Sequence, residues 1–206
     1  MRKLLLVAAA VMFALPAFAN PIPVVDWECG YTVLGLYGTG DPPIIATNVG
    51  DPDPVYEGLR SLRLEDNSPS GTPQAYVAWV RGLADGDSVS ACIWRYDDTP
   101  DVSPSCRIWA HWNDDPDDVN GYNGSAGGND DYGPGTGWDQ TCWTWYVADT
   151  GHTGLVIEVR TYSNPGDTVW VDELVIEAPM AAEIVIPDCE NPVNNVTWSS
   201  IKALYD

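Results

Sequence analysis

The sequence predicts an all-β fold, a β-sandwich (jelly roll) of about nine strands followed by a short C-terminal helix or tail. Three observations carry that expectation. Short β-rich runs recur roughly every 10 to 15 residues between clusters of Gly, Pro, Asp and Asn. Helical periodicity is absent until the last dozen residues. The large aromatics beyond residue 19 are all Trp or Tyr, since the two Phe residues are Phe13 and Phe18. Ten Trp and ten Tyr supply the bulk that a sandwich core needs, and each adds a polar edge to an apolar ring.

Residues 1–19 have a basic start at Arg2 and Lys3, an apolar run from Leu4 to Leu15, and Ala17-Phe18-Ala19 as a small-x-small cleavage site. This reads as a secretory signal peptide. The apolar run is shorter than the roughly 20 residues that a membrane-spanning helix needs, and no later stretch approaches that length. No Cys follows the cleavage site directly, which argues against lipidation there. Removing the segment leaves about 187 residues, enough for one well-cored domain. The expected organisation is a signal peptide over 1–19, a β-sandwich over 20–178 and a tail over 179–206.

Strands are expected near 23–28, 31–36, 59–64, 74–81, 88–96, 105–112, 141–147, 154–162 and 168–177. The Asp-Gly-Asp of 85–87 and the Pro-Gly-Asp of 165–167 supply turns between them. Residues 113–139 break the rhythm, with seven Asp, seven Gly, four Asn and no Lys or Arg. A loop this long is functional or disordered. It does not match an EF-hand, because placing Gly121 at the sixth position puts Pro116 at the first, where a side-chain ligand is required. A calcium loop of another kind and a solvated acidic loop both stay open. In the tail, Trp198, Ile201, Leu204 and Tyr205 fall at i, i+3, i+6 and i+7, the apolar face of a short helix that docks on the sandwich or serves as a sorting tag.

Charge narrows the function classes. The chain has 30 acidic and 9 basic residues, a net charge of −21, and loss of Arg2 and Lys3 would make it more acidic still. Such a surface repels nucleic acid and anionic membranes and favours divalent cations, calcium above all. Five Cys (29, 92, 106, 142 and 189) in an exported chain are disulfide candidates, with no C-x-x-C spacing to suggest a metal site. Cys92 and Cys106 flank the turn signal from Asp97 to Pro104, so a hairpin would set them opposite each other in a disulfide. The pairing of Cys29, Cys142 and Cys189 is left open.

Strand alternation proposes a binding face. With Cys92 and Cys106 inward, Trp94, Ile108 and Ala110 join the core, and Ile93, Arg95, Arg107, Trp109 and His111 face the other way. Leu155, Ile157 and Val159 mark the core side of 154–162 and turn Glu158, Arg160 and Tyr162 outward. Planar rings beside Arg, His and Glu suit a sugar, whose C–H faces stack and whose hydroxyls hydrogen-bond. The same charges also fit an ordinary cross-strand ladder. Trp143 and Trp145 share one face of their strand, as core or as binding platform.

From about residue 24 to 178 the chain resembles a secreted carbohydrate-binding module of the galactose-binding-like jelly-roll type, the group that contains families 4, 9 and 22. The residues that carry the resemblance are Trp27-Glu28, the Gly58–Leu64 segment with Ser61-Leu62-Arg63, Gly82–Arg95, Trp138, and Val169–Val175 with its acidic pair Asp172-Glu173. The resemblance implies noncatalytic polysaccharide binding. It also implies a structural calcium ion between the first and last strands, with Glu28 and Asp172 as side-chain ligands. The competing readings are an extracellular structural or adhesive protein that self-associates or attaches to a cell surface through its tail, and a polysaccharide-degrading enzyme. A Glu-x-Asp-x-x-Glu strand motif and a Gly-x-Ser-x-Gly elbow are both missing. A lyase site built from His111, Tyr162, Arg107 and Arg160 stays open.

Overall fold

The computed structural model describes residues 25–98, 104–133 and 135–187. Eleven strands follow in chain order: β1 (Gly35–Tyr37), β2 (Ile44–Val49), β3 (Ser61–Asp66), β4 (Gln74–Arg81), β5 (Ser88–Asp98), β6 (Ser105–Trp112), β7 (Ser125–Gly128), β8 (Thr136–Tyr146), β9 (Gly154–Tyr162), β10 (Thr168–Glu177) and β11 (Glu183–Val185). They form two antiparallel sheets. The first has the order β1-β4-β9-β6-β7, with β11 also on β4; the second has the order β2-β3-β10-β5-β8. The expected all-β sandwich is thus observed. The expected signal peptide, the tail helix around Trp198 and Cys189 lie outside the described residues.

Alternation explains which side chains meet between the sheets. β4 and β9 contribute Ala75, Val80, Leu155, Ile157 and Val159, and β6 contributes Cys106, Ile108 and Ala110. The other sheet answers with Leu62, Leu64, Val89, Ala91, Ile93, Val169 and Val171. In β10 the phase changes at a bulge between Asp172 and Val175, where Glu173 takes φ +50, so that Leu174 and Ile176 continue the core after Val171. Three strands escaped the sequence pattern. β2 lies on a sheet edge, and β7 and β11 are only four and three residues long, so none carries enough alternation to stand out.

The disulfide expectation is corrected. Cys92 on β5 lies opposite Cys142 on β8, and those two residues form the bond across a Cα separation of 4.1 Å. Cys106 is excluded because β5 and β6 belong to different sheets, so the link between them changes sheets instead of turning a hairpin. Its thiol is free and buried in the core, and burial pushes its pKa up to about 12. Cys29 is also disulfide-bonded.

The same change inverts β5. Cys92 and Trp94 face out of the sandwich, while Ile93 and Arg95 face in. Arg95 is 2% exposed; its Nε and Nη2 donate to Asp139, and its Nη1 donates to the carbonyls of Cys106 and Asp131. A buried guanidinium needs such a full set of acceptors. Arg95 therefore braces the two sheets and does not share a face with Arg107.

Candidate functional site

The outward side chains of β4, β9 and β6 meet in two rows set by the pairing register. Tyr76, Glu158 and Trp109 lie side by side across the three strands, and Gln74, Arg160 and Arg107 form the next row. The sequence pattern placed Arg107, Trp109, His111, Glu158, Arg160 and Tyr162 on one outward face, and the structure brings them together there.

Glu158 organises this face. It is fully buried, with His111 Nδ1 against its Oε1 and Arg160 Nε donating to its Oε2 at 2.8 Å. Gln74, turned so that its amide nitrogen faces the carboxylate, adds contacts of 3.2 and 3.3 Å. The other nitrogen of His111 donates to the Gly121 carbonyl at 3.1 Å. A carbonyl only accepts, so this bond fixes a proton on Nε2. The carboxylate is thereby paired from two sides, as a buried charge must be.

Arg160 also stacks on Trp109, its guanidinium carbon 4.7 Å from the ring centroid. The Trp109 indole N–H donates to Ser125 Oγ of β7. Trp109 therefore holds Arg160 with one ring face. Arg107 lies between the rings of Tyr132 and Tyr162, at 3.6 and 4.3 Å, with Asp130 at 3.5 Å. This clamp fastens the 129–133 segment to the sheet beside the Glu158 row.

The long acidic insertion supplies the remaining wall. Residues 113–123 form a chain of side-chain-capped turns, with Asn113, Asp115, Asp118 and Asn123 accepting from backbone N–H groups. Asp114 anchors it to His152 and to the Thr153 amide. Val119 packs with Leu34 and Val185 on a small apolar patch of Tyr76, Trp79 and Val156 on the outer sheet face. The insertion thus lies over one end of the sheet and closes the face there. Its acids are spent on local turns, and among the described residues no group of three or more His, Cys, Asp or Glu could hold a metal ion.

What stays open is a groove of roughly 360 Å³, lined by Tyr37, Gln74, Tyr76, Asn120, Tyr122, Ser125 and Arg160. Tyr37 and Tyr122 are 62% and 67% exposed, so their rings form accessible rims. Tyr76 lies deeper, and burial first, then the Glu158 charge, pushes its hydroxyl up to about 12, which keeps it a neutral donor. Of these residues only Arg160 was singled out from the sequence. Tyr76 and Gln74 lay on a correctly bounded strand, but the bulge between Tyr76 and Ala78 hides their phase. Asn120 and Tyr122 sit in a loop that gives no periodic signal.

Trp143 and Trp145 belong to the other sheet. They share its inner side on edge strand β8. Trp145 is core, with its indole N–H donating to the Gly127 carbonyl, whereas Trp143 is 40% exposed at the sandwich rim. Neither borders the groove. The outer side of that sheet carries a separate aromatic cluster in which Tyr56 stacks on Trp94 at 3.9 Å and Trp138, Tyr96 and Trp170 continue edge to face. Much of the Trp and Tyr content thus pins loop 50–58 to the sheet.

Glu28 and Asp172 occupy one acidic end of the sandwich with Asp26, Glu57 and Glu173. Asp172 is fully buried; its Oδ2 accepts from the Tyr56 and Glu57 amides and its Oδ1 from the Glu173 amide. Glu28 Oε1 accepts from the Leu59 and Arg60 amides. Burial nevertheless pushes the Asp172 carboxyl up to about 7, and burial together with Glu57, Asp26 and Glu28 raises Glu173. The all-oxygen donor set is the chemistry calcium selects. Glu28 Oε2 has no hydrogen-bond partner among the described residues, but no three of these acids group closely enough to hold a cation by themselves.

No family model matches the sequence, and no curated protein matches it. The protein belongs by architecture to the two-sheet antiparallel β-sandwiches, and solved structures share that architecture. It is similar to the K1 cleaved adhesin domain of Lys-gingipain from Porphyromonas gingivalis, with 12% identity over 78% of this chain and 99% of that one and a TM-score of 0.52. It is also similar to the CBM22-1 xylan-binding domain of Paenibacillus barcinonensis Xyn10C, with 12% identity over 78% and 96% of the two chains and a TM-score of 0.49. A further match, the enzymatically active domain of bacteriophage CBA120 tailspike protein 4, has 12% identity and a TM-score of 0.48. The alignment there covers 75% of this chain and only 20% of the tailspike chain. At these identities the likeness is one of fold.

Proposed function

We propose that this chain is a secreted, noncatalytic polysaccharide-binding protein whose ligand lies in the groove between Tyr37, Tyr76, Tyr122 and Arg160. One observation carries the reading. The groove combines accessible planar rims with amide, hydroxyl and guanidinium groups held at fixed positions, the combination that matches a pyranose with an apolar face and a hydroxyl edge. Noncatalytic action is supported by the absence of Asp or Glu from the groove lining, while Glu158 beneath is enclosed and committed to His111 and Arg160. Hydrolysis by a carboxylate pair requires two acids flanking the scissile bond. His111, with both ring nitrogens engaged, is not poised as a base.

A calcium ion at the acidic end belongs to the same proposal. Glu28 and Asp172 would supply two of its roughly six to eight oxygen ligands, with backbone carbonyls and water supplying the rest, and it would neutralise a buried carboxylate that lies among other acids.

The test is retention of the purified protein on a panel of soluble and insoluble polysaccharides that includes xylan, with calcium and then with chelator. The expected result is selective retention that weakens in Trp109→Ala, which releases Arg160 from its stack. Folded protein retained by no glycan, yet multimerising with calcium, would replace this reading with a structural or adhesive one. New reducing or unsaturated ends would replace it with an enzymatic one.

A further inference from the structure

The proposed glycan site has a charge pattern opposite to that of the molecule around it. The chain carries 30 acidic residues against 9 basic ones, yet the only charged residue lining the groove is Arg160. Glu158 beneath it is fully buried and already faces two partners, His111 and Arg160. Glu158 brings at most one negative charge, and the Arg160 guanidinium stays cationic, so the cluster adds no net negative charge to the groove.

Arg160 is also held for use. Its Nε is committed to Glu158 and its plane lies on Trp109, which fix the guanidinium at both its root and its face. Neither Nη atom has a hydrogen-bond partner among the described residues, although the side chain is only 17% exposed. A guanidinium pinned in this way presents its outer edge as a preorganised fork. Such a fork matches a carboxylate with two parallel N–H···O bonds, a fit that a neutral hydroxyl pair reproduces less strongly. Tyr76 and Tyr122 flank it with hydroxyl groups and rings, and Asn120 and Ser125 add neutral polar groups.

Resting on the glycan-binding reading, we propose that the groove recognises an acidic sugar residue, a uronate whose carboxylate sits on the Nη edge of Arg160. The net charge further restricts the ligand. A chain of net charge −21 repels a continuous polyuronate that comes within about a Debye length of its surface. A neutral glycan with sparse uronate substituents escapes most of that repulsion and still delivers one carboxylate to Arg160. The Val119 end of the insertion closes the sheet face beyond Tyr76, which suits a side-chain or terminal sugar better than a threaded polymer.

The experiment compares glucuronoxylan, arabinogalactan bearing glucuronate, and xanthan, each before and after reduction of its carboxyl groups to primary alcohols. Affinity electrophoresis of the whole protein provides the readout. The expected result is retention by at least one native polymer and a loss of about tenfold or more in affinity for its carboxyl-reduced form. Arg160→Gln should show the same loss, and Arg160→Lys, which keeps charge without the fork, an intermediate one. The wild-type comparison does not depend on either variant folding. Equal retention of native and reduced polymers would overturn the uronate inference while leaving glycan binding intact. No retention of any polymer by folded protein would overturn both.

Discussion

Asp172 offers a quantitative test of the acidic end. Its carboxyl is raised from 3.8 to about 7, chiefly by burial, against the opposing effect of the amides of Tyr56, Glu57 and Glu173. At roughly 1.36 kcal/mol per unit, that rise corresponds to a contribution on the order of 4 kcal/mol. The folded state binds the proton more tightly than the unfolded one. The contribution is therefore fully present below about pH 3.8. It is lost as pH rises toward 7, because the unfolded chain ionises first. Bound calcium would reverse the preference by stabilising the ionised form. The assay is urea unfolding of wild type and Asp172→Asn between pH 4 and 8, in chelator and in calcium. Subtracting the variant removes the pH dependence shared by all the other carboxylates. In chelator, wild type should lose several kcal/mol relative to the variant across this range. In calcium the loss should shrink, with a gain near neutral pH of about 2.7 kcal/mol at a hundredfold excess over the dissociation constant. A difference between wild type and variant that stays flat within about 1 kcal/mol in chelator would refute the burial argument. An unchanged slope on adding calcium would refute the cation site.

Three further outcomes follow from the geometry. Cys92→Ser with Cys142→Ser opens a loop of sequence separation 50 and should cost about 4 kcal/mol by chain entropy, or roughly 8 to 16 °C in thermal midpoint. A loss under about 1 kcal/mol in denaturant unfolding would show that the cross-strand bond adds little. Cys106 should resist alkylation in the folded protein and react once urea unfolds it, because its thiol is buried and raised to about 12; labelling at the native rate of an exposed thiol would contradict the core placement. Glu158→Ala should lower stability by about 3 to 5 kcal/mol and weaken glycan retention, because it leaves His111 Nδ1 and the Arg160 Nε–H without their shared partner. Unchanged urea midpoint and retention would show that the cluster positions nothing.

Strands β9 and β6 of the groove-bearing sheet were legible because they obey simple alternation. In β9, Leu155, Ile157 and Val159 are so uniformly apolar that Glu158 and Arg160 could only face the other way, and β6 repeats the pattern with Ile108 and Ala110. β5 was not legible for a local reason. It alternates Ile93 with Trp94, and both flanks carry a large apolar residue, so the phase was fixed by an assumed Cys92–Cys106 pair. A wrong partner then inverted the strand and carried Arg95 to the wrong side. Bulges in β4 and β10 caused the other losses, since each shifts the phase partway along a strand. The walls from Asn120 and Tyr122 come from a loop whose only sequence signals are composition and length.

The chemistry of the groove depends on residues that, taken singly, look structural. Glu158 is enclosed, His111 is 1% exposed, and one face of Trp109 is covered by Arg160, so none of the three presents the free surface usually expected of a contact residue. Their effect is to hold one guanidinium in place. Burying an acid in a chain already rich in acids is unfavourable unless cations answer it. Arg160 answers it here beside His111, and that guanidinium leaves its outer edge unused. In a domain with no acidic groove lining, that uncommitted edge is the one strongly directional charge a ligand would meet. The charge balance of Glu158, His111 and Arg160 therefore fixes the fold locally and sets the sign of the groups the groove can accept.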